Sequence, residues 1–209
     1  MVEYFVQGGN FMWPILVCLV LGIAISIERF ISLTRASVNT RKLLANIKSA
    51  LDKGGVKAAV DVCQKTKGPV AAIFHAGLLR FDRGAEHVEK AITNAGTIEM
   101  AFLERGLIWL SMFITIAPML GFTGTVQGMV VAFEDIKKAN DIQPSIVAEG
   151  ISVALLTTLF GLIAAIILQV FYNYFISKID RLVIDMEETS AELVDQLIER
   201  EINEREIKA

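Results

Sequence analysis

The chain has 209 residues, 54% of them hydrophobic and 21% charged, and a formal net charge of −3; its mean hydropathy is +0.53. So small a net charge carries no electrostatic footprint for nucleic acid. The apolar residues are gathered into charge-free runs instead of being spread periodically among charges, which excludes an ordinary soluble domain and predicts an all-α integral membrane protein.

Residues 1–10 contain Glu3 and no basic residue, and the first apolar run follows from Phe11 to Ile27, 17 residues without a charge. A cleavable signal peptide needs a basic leader and a small-residue cleavage site. This run has no such leader and ends at Glu28-Arg29, so it reads as a retained span. Phe30, Ile31 and Leu33 extend its apolar face while Glu28 and Arg29 pair or snorkel at the interface, giving a first transmembrane helix over 11–34.

Residues 35–104 read as a helical polar region. Leu43, Leu44, Ile47 and Leu51 form one apolar stripe; Val56, Ala59, Val60 and Cys63 form another after the Gly54-Gly55 break. Pro69 is placed to start a helix whose buried side is Ile73, Leu78 and Leu79. From Glu86 the pattern Val88, Ala91, Ile92, Ala95, Ile98 and Phe102 leads into the second span with Gly96 as its only weak point, which predicts one very long helix. His75 and His87 form no metal-ligand spacing with either cysteine, so no metal or cofactor is expected.

The second span (105–133) takes in Arg105 and the 28 residues before Glu134 that carry no formal charge, and the third (150–177) fills a matching 28 between Glu149 and Lys178. At about 1.5 Å per residue each makes a helix of roughly 42 Å, longer than a hydrocarbon core of roughly 30 Å. The tail, 178–209, continues the third span through Ile179, Leu182, Val183, Met186, Leu193, Leu197 and Ile202, and its ten acids and five bases read as a solvated helix face.

Twelve Lys or Arg residues lie from Arg35 to Arg105 and five in the tail, against Lys137 and Lys138 in the connection 134–149 and none in residues 1–10. The positive-inside rule puts the N-terminus and that connection outside, and the polar region and tail in the cytoplasm. Cys18 and Cys63 then fall in different compartments, and no disulfide joins them.

Neither long span is a plain Leu/Ile anchor. The second carries Thr115, Pro118, Gly121, Thr123, Gly124, Thr125, Gln127 and Gly128; the third repeats small residues every four positions at Gly150, Ala154 and Thr158, and at Thr157, Gly161 and Ala165. Such ridges let helices pack closely, and the threonine hydroxyls either bond back to their own helix or face a polar path. No Asp, Glu, Lys, Arg or His lies within 106–133 or 150–177. A proton crossing the membrane needs a group that binds and releases it, so a titrating residue would have to come from a partner. No nucleophile–base set, phosphate loop or metal cluster points to an enzyme.

The string Ala117–Phe133 (APMLGFTGTVQGMVVAF) resembles the GLLGTV-x-GM core of the ExbB/TolQ/MotA proton-channel family, and Gly150–Ile166 (GISVALLTTLFGLIAAI) is similar to its third-span pattern. The order of spans is that of ExbB and TolQ, and the likeness covers essentially the whole chain. What the resemblance implies is a ring of five copies enclosing the single membrane helices of two ExbD/TolR-like subunits, whose aspartate carries the proton. Thr125 and Thr158 would line the proton path, with Gly121, Gly124, Gly128, Ala154 and Gly161 packing the helices at the pore. The implied setting is the bacterial inner membrane, as part of a protonmotive-force-driven motor. An ExbB-like role would energise outer-membrane import through a TonB-like protein; a TolQ-like role would serve envelope integrity and division. A non-conducting membrane scaffold is the alternative of another class. Two departures stand out: Val153 replaces a glutamate common in ExbB and TolQ, and Ile167 replaces a proline.

Overall fold

The computed structural model describes residues 2–37, 40–139 and 144–208, and they are almost entirely helical. In chain order the helices are α1 (Val2–Gln7), α2 (Met12–Ala36), α3 (Thr40–Lys65), α4 (Pro69–Leu78), α5 (Ala85–Glu104), α6 (Leu107–Ala139) and α7 (Pro144–Lys208), with a 3-10 turn at Phe81–Arg83 before α5. Among the described residues three helical stretches are long and apolar enough to cross a membrane. Each falls on one of the three expected spans. Side chains beyond Arg200, Ile202 among them, lie outside the described residues.

The chain forms two compact units, one of residues 1–29 and 106–174, the other of 30–105 and 175–209. In the first unit α2, α6 and α7 meet over a small core of Ile15, Cys18, Ala117 and Ala164, with Phe113, Leu120 and Phe160 packed against it. Gly22 lets Leu168 close on α2, since a Cβ at Gly22 would stand 2.5 Å from Leu168 Cδ1. Large apolar side chains such as Trp13, Phe122, Leu155, Ile166 and Val170 point outward. An apolar exterior is what a lipid or protein surround requires.

In the second unit α3 kinks at Gly55, which takes φ 67° and ψ −164°, where the paired glycines predict a break. Leu43, Leu44, Ile47, Leu51, Ala59 and Cys63 are buried. Pro69 opens α4 at its first turn, where its missing N–H costs nothing. Gly77 admits Ile92 of α5, whose Cγ1 would stand 2.7 Å from a Cβ there. From α7 the unit takes Phe175, Ile179, Leu182, Met186, Leu193 and Leu197. Lys48 pairs with Glu192 at 2.6 Å, and Arg200 Nη1 donates to Leu51 O at 2.6 Å.

Burial pushes the Cys63 thiol up to about 11. Only the thiolate is nucleophilic, so at pH 8 the native protein should label at Cys63 with maleimide about a hundredfold more slowly than a free thiol does. Site-resolved mass spectrometry before and after denaturation checks this; equal rates in both states would contradict it.

Three expectations are corrected. Leu79 is 60% exposed, not buried, because it lies one residue past the end of α4. The α5 stripe is buried at Val88, Ala91 and Ile92, but Ile98 and Phe102 are more than half exposed. The twenty residues of α5 outrun the ten of α4, against which the helix packs. Finally, α5 does not run unbroken into the second span. Gly96 stays helical, and the break comes at Arg105 (φ −56°, ψ 129°) and Gly106 (φ 91°).

Gly106 sits where side chains are strained, and a Cβ would lie 3.4 Å from Arg29 Nε. Arg29 is buried and salt-bridged to Glu28 at 2.6 Å. Gly106→Ala is expected to cost about 1–2 kcal/mol, read as a lower unfolding midpoint in detergent. An unchanged midpoint would show that the backbone turns there without strain. Toward the connection 134–149, α6 continues to Ala139 and α7 begins at Pro144.

Candidate functional site

Two helices without a charge across their apolar stretches build the site. Gly161 faces Ala117 and Gly121, Gly124 faces Thr157, and Gly128 faces Gly150 and Ala154. Rising numbers on α6 meet falling numbers on α7, so the pair is antiparallel. A Cβ at Gly121 would stand 2.8 Å from Thr157 O, one at Gly124 2.8 Å from Thr157 Cβ, one at Gly128 3.1 Å from Gly150 O, and one at Gly161 2.7 Å from Ala117 O. Ala154 is 2% exposed. All five small residues expected to pack helices therefore lie in this seam, and Gly150 joins them, its Cβ position 2.4 Å from Ala132 Cβ. The missing side chains bring backbone against backbone.

That closeness decides what the threonines do. Thr115 and Thr123 are exposed and donate to their own helix, to Ser111 O at 3.0 Å and Met119 O at 2.8 Å. This is the ordinary fate of a threonine in an apolar helix. Thr125 differs. Its hydroxyl lies 3.2 Å from Gly121 O on its own helix, 3.0 Å from Ala154 O on α7, and in direct hydrogen-bonding contact with the hydroxyl of Thr158. Thr158 Oγ1 in turn lies 3.4 Å from Gly121 O. The two threonines singled out by sequence form one half-buried polar cluster across the helix pair. They can be neighbours only because Gly121 admits the α7 backbone and Gly124 admits the Thr157 side chain.

One residue of the cluster carries no such signal in sequence. Thr157 is 1% exposed and donates to Ala154 O at 2.9 Å. Its neighbour Thr158 matches the family motif, whereas Thr157 reads only as one member of a small-residue ridge. Thr157 also lines a cavity of about 570 Å³ in the same unit, together with Gln127, Val153, Asp135 and Glu149. Val153 contributes an apolar side chain to that lining. Among the described residues no group of three or more His, Cys, Asp or Glu could hold a metal ion.

Residues 65–188, which include Thr125 and Thr158, match the family described as the MotA/TolQ/ExbB proton channel family. The chain is 34% identical over 179 residues to a Methanothermobacter thermautotrophicus protein named as a biopolymer transport protein ExbB homolog, an alignment covering 85% of this chain and 63% of that relative. It is 38% identical over 78 residues to the biopolymer transport protein ExbB of Salmonella typhimurium, covering 37% of this chain and 32% of that one. To the Tol-Pal system protein TolQ of Pseudomonas aeruginosa it is 31% identical over 125 residues, 54% of each.

Proposed function

This chain belongs to the MotA/TolQ/ExbB proton channel family, and on that premise we propose that it is an ExbB-like ring subunit of a protonmotive-force-driven motor in the inner membrane. The observation that carries the reading is the Thr125–Thr158 contact, a hydroxyl pair held between two helices that have no Asp, Glu, Lys, Arg or His across 106–133 and 150–177. The pair can donate to and accept from a proton carrier but cannot itself take up a proton near neutral pH. The carrier is therefore an aspartate on the membrane helix of an ExbD/TolR-like partner, surrounded by several copies of this chain, five in the reading we favour.

Protonation neutralises that aspartate and lets it pass the apolar helices; loss of the proton restores the charge, which the threonine hydroxyls then solvate. Each charge crossing 100 mV supplies about 2.3 kcal/mol, and the cycle turns one subunit against the other. By the distribution of lysine and arginine, the N-terminus is periplasmic and the C-terminus cytoplasmic. The motor's output would be import across the outer membrane through a TonB-like protein. The TolQ likeness supports envelope maintenance as the second reading.

Native mass spectrometry of the complex, captured from its own membranes through a tag on this chain, tests the assembly. A homo-oligomer with a co-purifying single-span protein that carries a membrane aspartate is the expected result. A monomer or dimer with no such companion would favour a non-conducting scaffold. Loss of iron-chelate uptake on deletion would mark the ExbB-like role, and detergent sensitivity with faulty division the TolQ-like one.

A further inference from the structure

We infer that Thr157 is a positioning residue that sets the direction of the hydrogen bonds in the Thr125–Thr158 pair, an inference that rests on the proton-path reading above. Each threonine hydroxyl has one proton to give, and a carbonyl oxygen has two lone pairs. Ala154 O receives one bond from the backbone N–H four residues on, as any carbonyl within an α-helix does, and Ala154 lies well inside α7. Thr157 Oγ1 donates to the same oxygen at 2.9 Å. Both lone pairs are then engaged.

Thr125 Oγ1 lies 3.0 Å from that oxygen as well. With Thr157 in place the Thr125 proton is turned away from Ala154 O and toward the Thr158 hydroxyl, which lies closer than the other acceptor in reach, Gly121 O at 3.2 Å on its own helix. Thr158, receiving that proton, has its own left to give, either at long range to Gly121 O, 3.4 Å away, or to a group outside the pair. Thr157 therefore keeps one donor of the pair available for a partner's carboxylate. Gly124 seats it for this task, since the Thr157 side chain fills the space where a Cβ at Gly124 would stand, 2.8 Å from Thr157 Oγ1.

Without the Thr157 hydroxyl, Ala154 O has an open lone pair. Thr125 donates there, Thr158 donates to Thr125, and no proton of the pair faces outward. A carboxylate that loses a donor holds its proton more tightly. The sign follows: the partner acid's pKa rises, and proton release becomes harder.

The test uses the full chain co-reconstituted with its single-span partner in lipid vesicles, with proton flux measured as a function of pH. Thr157→Val keeps the shape and is expected to reduce flux about fivefold, the worth of one net hydrogen bond. It should also move the pH midpoint up by about 0.7 unit, while Thr157→Ser restores both. A residue that only packs would not move the midpoint. If valine disturbs assembly, Thr157→Ala removes the hydroxyl with less bulk, and the same shift is expected. Wild-type flux and midpoint in both hydroxyl-free variants, with flux lost in Thr158→Val, would overturn the role of Thr157 and leave the proton path standing. Serine failing as badly as valine would overturn it too, by showing that shape matters and the hydroxyl does not. Unchanged flux in Thr158→Val and Thr157→Val alike would sink both readings.

Discussion

Thr158→Val is expected to cut partner-dependent proton flux about tenfold or more, while leaving the chain folded and assembled. Valine keeps the branched shape and removes only the hydroxyl, so the packing of α7 on α6 is retained. What is lost is the contact with Thr125 and the outward donor. A hydrogen bond given to a charged group is worth about 1.5–3 kcal/mol, and each 1.4 kcal/mol on a barrier is about tenfold in rate. Thr123→Val is the matched control, because Thr123 is exposed and bonds only to its own helix at Met119 O. Flux should fall in the first variant and hold in the second. Full flux through Thr158→Val would remove the threonine pair from the proton path.

Gly161→Ala has the second large effect, and it acts on the scaffold. A Cβ there would lie 2.7 Å from Ala117 O and 3.2 Å from Gly121 Cα. Both neighbours are backbone and have no rotamer to change. The helices must move apart, at an overpacking cost of about 1–3 kcal/mol. The Thr125–Thr158 contact depends on that seam, so flux should fall along with stability. A thermal unfolding midpoint in detergent and the vesicle assay read the two consequences separately. Gly96→Ala in α5 is the useful contrast, since a Cβ there meets only Ile73 Cδ1 at 4.0 Å and alanine favours the helix; its midpoint should hold or rise. A stable, conducting Gly161→Ala protein would mean that the seam tolerates a wider spacing than its contacts imply.

The spans were legible in the sequence because membrane burial writes a one-dimensional signal, long runs with no charge, that needs no tertiary context. The seam was legible as well, since small residues every four positions mark one helix face, and Gly121, Gly124, Gly128, Ala154 and Gly161 all lie on it. Thr125 and Thr158 were reached through the family likeness. Their contact is set by the offset between two antiparallel helices, which no pattern within either helix encodes. Thr157 stayed hidden for the same reason, as its significance lies in sharing Ala154 O with a residue 32 positions away in sequence.

In the polar region, periodicity identified apolar stripes but not where their partners end. Leu79, Ile98 and Phe102 therefore came out exposed. The break at Gly106 was missed because a glycine is compatible with a helix interior, as Gly96 shows, and equally with a positive φ. What separates the two cases is the packing of Arg29 against the break.

The most direct measurement is proton flux into vesicles holding this chain alone, this chain with its single-span partner, and this chain with the partner's membrane aspartate changed to asparagine. Flux in the second preparation only is the predicted result, because the two long spans carry threonines but no Asp, Glu, Lys, Arg or His across 106–133 and 150–177. Equal flux in all three, or none in any while the complex remains assembled, would contradict a motor in which this chain lines the path and its partner carries the proton.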